Sequence, residues 1–138
     1  MNRAEAITEF WSINASISKT LDAALGTVHG IGLTEYMILH QLAQAPTQTA
    51  RRIDLANAIQ RTASGVTRLL KPMEKIGLVE KELNPRDARV SLVKLSKAGA
   101  NIYRDASKTV EQQSNHILRR INASDLKVMA TLLTDIDS

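Results

Sequence analysis

Ser64, Thr67, Arg68, Lys71 and Lys75 stand three, four, seven and eleven residues along from one another's start, on one face of a helix of about 3.6 residues per turn. The face has small hydroxyls near its beginning and cations farther along. That order suits the reading of duplex DNA, where the first residues of a recognition helix meet base edges and neighbouring cations hold phosphates. Ser64, Thr67 and Arg68 are the candidate base readers, and Gly65 leaves room for the backbone to come close. An Arg that bonds guanine through both nitrogens discriminates by roughly 1–3 kcal/mol. Lys71 and Lys75 fit phosphates, with Arg51, Arg52 and Arg61 just upstream. A single exposed Lys or Arg is explained as well by solvation, so the argument rests on clustering. From Arg51 to Lys97 there are eleven Lys or Arg against five acids, a net +6 in a chain that is +4 overall. Such a block is the electrostatic footprint of a phosphate-binding surface.

The remaining composition removes other chemistries. A length of 138 residues fits one domain, residues 1–138, with one core. At 43% hydrophobic and 23% charged, the chain is expected to be globular rather than disordered. Aromatics are limited to Phe10, Trp11, Tyr36 and Tyr103, too few for the stacking platforms of a single-strand binder. With no Cys and three dispersed His (29, 40 and 116), no metal site is expected. No catalytic constellation or phosphate-binding glycine loop is visible, so neither an enzyme nor a cofactor is expected. The start Met1-Asn2-Arg3-Ala4-Glu5 lacks signal-peptide character and no apolar run spans a bilayer, which points to a soluble cytoplasmic protein without membrane partners.

These residues need elements to hold them. Ile7, Phe10, Trp11, Ile17, Leu21, Leu25 and Val28 have the spacing of a long amphipathic helix that stops near Gly30 and Gly32. Thr34 is the expected cap of a second helix burying Met37, Ile38, Leu42 and Ala43 and ending before Pro46. A polar linker over residues 47–49 leads to a short helix around Ile53, Leu55, Ala56 and Ile59. Thr62 then caps the recognition helix, whose buried stripe is Val66, Leu69, Leu70, Met73 and Ile76. Pro72 deletes a helical hydrogen bond and should bend that helix, and Gly77 ends it. Residues 78–83 and 89–95 have strand patterning around the turn Asn84-Pro85-Arg86-Asp87. Ser96 caps a long helix with Ile102, Tyr103, Ala106, Val110, Ile117, Leu118 and Ile121, and Ser124 a last one with Leu126, Met129, Leu132, Leu133 and Ile136. The fold class is therefore mainly α with a small β-hairpin wing. A winged helix-turn-helix core over 33–99 is flanked by dimerisation helices over 1–28 and 97–138.

The wing sequence from Leu83 to Gly99 resembles the MarR family of bacterial transcription regulators. Asp87 and Arg89 match the family's Asp-x-Arg, while Leu95-Ser96 and Gly99 match its Leu-Thr and following Gly, with Ser in place of Thr. Leu33-Thr34, Leu55-Ala56, Val66-Thr67-Arg68-Leu69 and Gly77-Leu78-Val79 extend the resemblance over nearly the whole chain. It implies that Asp87 and Arg89 brace the wing while a cation at its tip enters the minor groove. The position between them, often basic in the family, is Ala88 here, so the tip role passes to Arg86. Pro72 is also atypical. The terminal helices carry more apolar surface than one core can cover, and pairing with a second copy solves this. A homodimer would place two reading heads about one DNA turn apart, roughly 34–36 Å, on a palindromic operator, as in a repressor. The resemblance further implies a small aromatic effector that modulates DNA affinity, for which Trp11, Tyr36, Met37 and His40 are the candidate cleft. Without Cys, the thiol-oxidation sensing of some relatives is excluded. The competing reading is a winged-helix module that binds an acidic protein partner.

Overall fold

Helix α1 (Arg3–His29) opens with a capping box in the computed structural model, which describes residues 1–138. The Glu5 amide donates to the Asn2 side chain at 2.8 Å, and the Glu5 carboxylate accepts from the Asn2 amide at 3.1 Å. Gly30 ends α1 at φ +69°, in the left-handed region where glycine pays no Cβ penalty. Helix α2 (Leu33–Gln44) starts from Gly32, not from Thr34. The Gly32 amide donates to Glu35 and the Leu33 amide to Asp22, both at 2.8 Å. Two carboxylates, one of them from α1, therefore meet the free donors of the first turn before a Thr34 cap is needed.

A 3₁₀ turn (Pro46–Gln48) leads to strand β1 (Thr49–Arg51), then to α3 (Arg52–Ala58) and α4 (Ala63–Lys75). Strands β2 (Val79–Asn84) and β3 (Asp87–Leu95) form the wing, followed by α5 (Lys97–Ile117) and α6 (Ala123–Ile136). The sheet is antiparallel in the order β1-β3-β2, so the expected two-stranded hairpin gains a third strand. Thr49, Ala50 and Arg51 pair with Lys94, Val93 and Leu92. Asn122 caps α6 by accepting from the Asp125 amide at 2.8 Å, which displaces Ser124 from the expected capping position.

Leu25, Ile38, Leu39, Leu42, Leu55, Val66, Leu70 and Met73 form the centre of one core, closed on the sheet side by Val79, Val93 and Leu95. Of the stripe expected on α4, Val66, Leu70 and Met73 are buried and Leu69 is half-buried. Ile76 is 64% exposed, because the helix has ended by that residue and its side chain leaves the stripe. Helix α4 runs unbroken through Pro72, which is exposed and removes the hydrogen bond to the Arg68 carbonyl. On α2 the buried residues are Tyr36, Ile38, Leu39 and Leu42, while Met37 and Ala43 sit at the core's edge. The apolar stripe of α1 stays largely outside: Ile7, Phe10, Trp11 and Val28 are exposed, Ile17 and Leu21 are half-buried, and Leu25 alone is fully buried. No residue of α6 is buried. No helix is long and apolar enough to cross a membrane.

Candidate nucleic-acid interface

The turn between α3 and α4 sets the exit of the recognition helix. Gln60 holds φ +57° there, with its side-chain amide donating to the Asn57 carbonyl at 3.3 Å. Thr62 then caps α4: its hydroxyl oxygen accepts from the Gly65 amide at 3.0 Å and lies 3.3 Å from the Ser64 hydroxyl. A Cβ at Gly65 would sit 3.0 Å from that oxygen, so glycine keeps the cap tight as well as leaving the surface low. Thr67 donates its hydroxyl proton to the Ala63 carbonyl at 3.1 Å. What it presents outward is a methyl group and acceptor lone pairs, suited to a thymine methyl or a base amino group.

Along the same face, Ser64, Arg68, Lys71 and Lys75 are exposed. Arg61, Arg68, Lys71, Lys75 and Arg86 form no ion pair within the chain, so their charge is available to an external anion. The upstream arginines are engaged differently. Arg51 makes two bonds to Asp54, at 3.0 and 3.1 Å, and the same bonds lower the Asp54 carboxyl and raise the Arg51 guanidinium. Arg52 donates from Nη1 to the Ser91 hydroxyl, pinning the start of α3 to β3, and its Nε is buried without a protein partner. Of the two, Arg51 must exchange a carboxylate to reach a phosphate, and Arg52 is a staple.

The wing turn is two residues, Pro85 and Arg86, between the paired Asn84 and Asp87. Asn84 accepts from the Arg86 amide at 2.9 Å, an Asx turn that leaves the Arg86 side chain exposed at the tip. Asp87 accepts from the Arg89 amide at 3.0 Å and from its guanidinium at 3.1 and 3.3 Å. The side-chain bond first, then the backbone bond, holds the Asp87 carboxyl below its usual range. Lys81 also lies beside the α4 cations, a placement that charge count alone does not give. It lies two residues from buried Val79, opposite buried Val93, and lines an open groove of about 370 Å³ with Lys71, Glu74 and Lys75. Period-two alternation along β2 would have found it.

The four residues of the candidate cleft do not converge. Tyr36 stacks on Tyr103 of α5 at 5.5 Å, and His40 lies tilted against the same ring at 5.8 Å. His40 Nδ1 lies 2.7 Å from the Tyr103 hydroxyl, and the Tyr36 hydroxyl 3.2 Å from Ser107. Burial pushes the Tyr36 hydroxyl up. Met37 faces elsewhere, into a groove of about 410 Å³ with Asn14, Ser18, Thr34, Ile59 and Arg61. Trp11 is 71% exposed and lines neither.

Comparison with known proteins agrees with this geometry. A model of the MarR family matches residues 31–91, from the start of α2 to the middle of β3. An uncharacterised HTH-type transcriptional regulator of Bacillus subtilis (strain 168) is 25% identical over 130 residues, covering 94% of this chain and 76% of that protein. AbsC, a MarR family transcriptional regulator from Streptomyces coelicolor, superposes with a TM-score of 0.86 at 22% identity, over 99% of this chain and 94% of its own. A second MarR family regulator from Streptomyces coelicolor, solved in complex with DNA, gives 0.85 at 21% identity, over 99% and 88%. The S. aureus MepR–DNA complex gives 0.82 at 18%, over 99% and 96%. Over its helix-turn-helix and the first part of its wing, residues 31–91, the chain matches the MarR family, and along nearly its whole length it has the fold of MarR family regulators.

Proposed function

We propose that the chain is a sequence-specific, double-stranded-DNA-binding transcription regulator that acts as a homodimer on palindromic operators in the cytoplasm, as a repressor. The observation that carries this is the stripe of unpaired cations and short hydroxyls on a capped helix, beside a braced wing that ends in a free Arg. Ser64, Gly65, Thr67 and Arg68 read bases, while Arg61, Lys71 and Lys75, with Lys81, hold phosphates. Arg51 joins them when it leaves Asp54, and Arg86 enters the minor groove, where negative potential concentrates. Two relatives of the same fold were solved with DNA, which supports the reading.

The core 33–99 acts as the reading head, and the helices over 1–28 and 97–138 as the dimerisation unit. Helix α6 has no fully buried residue within the chain although its 14 residues include Leu126, Val128, Leu132, Leu133 and Ile136. A helix of that length is marginal without packing, so its apolar face belongs against a second copy. A small aromatic acid is the effector that suits the groove of Met37 and Arg61. The groove is within the size range of ligand sites, offers a cation, and is walled by Ile59 and Gln60 of the helix-turn-helix. An occupant would push directly on the turn that aims α4. An acidic protein partner is not favoured, since the reading stripe carries no large apolar side chain.

The test is a salt titration on duplex fragments selected from genomic DNA. Each neutralised phosphate releases counterions, so log affinity should fall linearly with log salt, with a slope of about −0.9 per contact. Binding that is indifferent to salt, or absent on every selected duplex, refutes the proposal.

A further inference from the structure

The motif Leu95-Ser96 with Gly99 has no place in the DNA contacts, yet the small polar side chain of Ser96 is buried, at 6% exposure. Its surroundings give it a task. Helix α4 ends in a Schellman motif: the Leu78 amide donates to the Met73 carbonyl at 2.9 Å and the Gly77 amide to the Glu74 carbonyl at 3.1 Å, with Gly77 at φ +82°. The carbonyls of Gly77 and Leu78 are left over, and Ser96 takes both. Its hydroxyl donates to the Gly77 carbonyl and its amide to the Leu78 carbonyl at 3.2 Å. The same hydroxyl oxygen accepts from the Gly99 amide at 2.9 Å, capping α5. Gly99 lets the two backbones meet, because a Cβ there would lie 2.0 Å from the Leu78 carbonyl oxygen. One hydroxyl thus joins the last turn of the recognition helix to the first turn of α5, a helix of 21 residues.

We propose that Ser96 is a positioning residue, setting the pitch of the recognition helix relative to α5 and hence the spacing of the two reading heads. The proposal rests on the homodimer reading above. Ser64 is thirteen residues up α4 from Gly77, a lever of about 20 Å at 1.5 Å per residue. A tilt of about 5° at the joint moves the base-reading end by roughly 2 Å, enough to break hydrogen bonds that need separations of about 3 Å. A single head can follow its half-site when the joint loosens. Two heads on a palindrome cannot, because the dimer fixes their distance.

The experiment compares Ser96→Ala and Ser96→Thr with the wild type on three duplexes: one half-site, the palindrome, and the palindrome with one base pair added between its halves. Ser96→Ala should lose about tenfold on the palindrome, the worth of one or two hydrogen bonds, and less than about threefold on the half-site. It should also discriminate less against the lengthened palindrome, and Ser96→Thr, which keeps the hydroxyl, should restore all three affinities. Equal losses on half-site and palindrome, no loss at all, or no rescue by Thr would overturn the proposal. If Ser96→Ala does not fold, Ser96→Cys keeps a weak donor and acceptor at the same position while weakening both bonds, and is judged on the same ratio. A wild type that gains nothing from the second half-site overturns the dimer reading itself, and this proposal with it.

Discussion

Arg68 and Arg86 carry the same charge and sit at different places in the reading head, so they should fail differently. Arg68 lies one turn into α4, flanked by Ser64 and Lys71 on the exposed face and free of any carboxylate. Arg86 stands at the tip of a two-residue turn held by the Asn84 side chain. Arg68→Ala should cost about 1–3 kcal/mol on the selected operator and relax preference at one base position, read by repeating the selection with the variant. Arg86→Ala should weaken all duplexes alike and make the salt slope shallower by about 0.9. If Arg68→Ala left base preference untouched, the role assigned to it would move to Ser64 and Thr67. The Asp87–Arg89 pair should not be counted with these two. It is exposed, and exposed pairs are worth little on their own, so its value lies in holding the turn that aims Arg86.

At the scale of elements, the 3₁₀ turn before β1 is the most costly stretch of backbone. Thr47 and Gln48 both hold φ +55°, and for a β-branched residue such a conformation is an outlier. Thr47→Asn, which tolerates the left-handed region, should stabilise the fold by about 0.5–1 kcal/mol, read as a higher midpoint in urea. An unchanged or lower midpoint would show that the Thr47 hydroxyl bond to the Pro46 carbonyl, at 2.6 Å, outweighs the strain. The same stretch marks the limit of sequence legibility. Period-3.6 stripes disclosed every helix, and alternation with Asn84-Pro85 disclosed the wing. Strand β1 did not show, because three residues carry no period and its partner lies more than forty residues away. Thr34 and Ser124 looked like caps until Asp22, Glu35 and Asn122 supplied the acceptors from other positions. The cation stripe of α4 was legible from spacing alone. That Arg51 and Arg52 differ from Arg61 was not, since Ser91, which binds Arg52, is distant in sequence and the Arg51–Asp54 pair is one of several rotameric choices. The family resemblance puts Trp11, Tyr36, Met37 and His40 in one cleft, but side-chain direction is set by packing: Tyr36 and His40 turn toward α5 and Met37 toward α3.

For the whole molecule the governing fact is that apolar stripes at both chain ends remain uncovered. Phe10, Trp11 and Ile13 on α1 and five large apolar residues of α6 face outward in the single chain. Val128 and Leu132 are separated by one helical turn and are 56% and 55% exposed, so they mark the middle of the α6 stripe. If a second copy covers them, Val128→Lys with Leu132→Lys removes two apolar side chains from each protomer and places cations in the same interface. At about 1.5 kcal/mol or more for each buried side chain, the loss is on the order of 6 kcal/mol, or roughly four decades in the dimerisation constant. Sedimentation equilibrium at micromolar concentration should then show the variant as a monomer and the wild type as a dimer. The core lies elsewhere in the chain, so thermal unfolding should still report a folded winged domain while α6 frays. Affinity for a single half-site should survive in that monomer, and the gain from the second half-site should vanish. A double variant that remained dimeric would place the partner on the α1 stripe alone. In that case Trp11→Lys becomes the decisive substitution, because Trp11 is the most exposed large apolar residue on that helix.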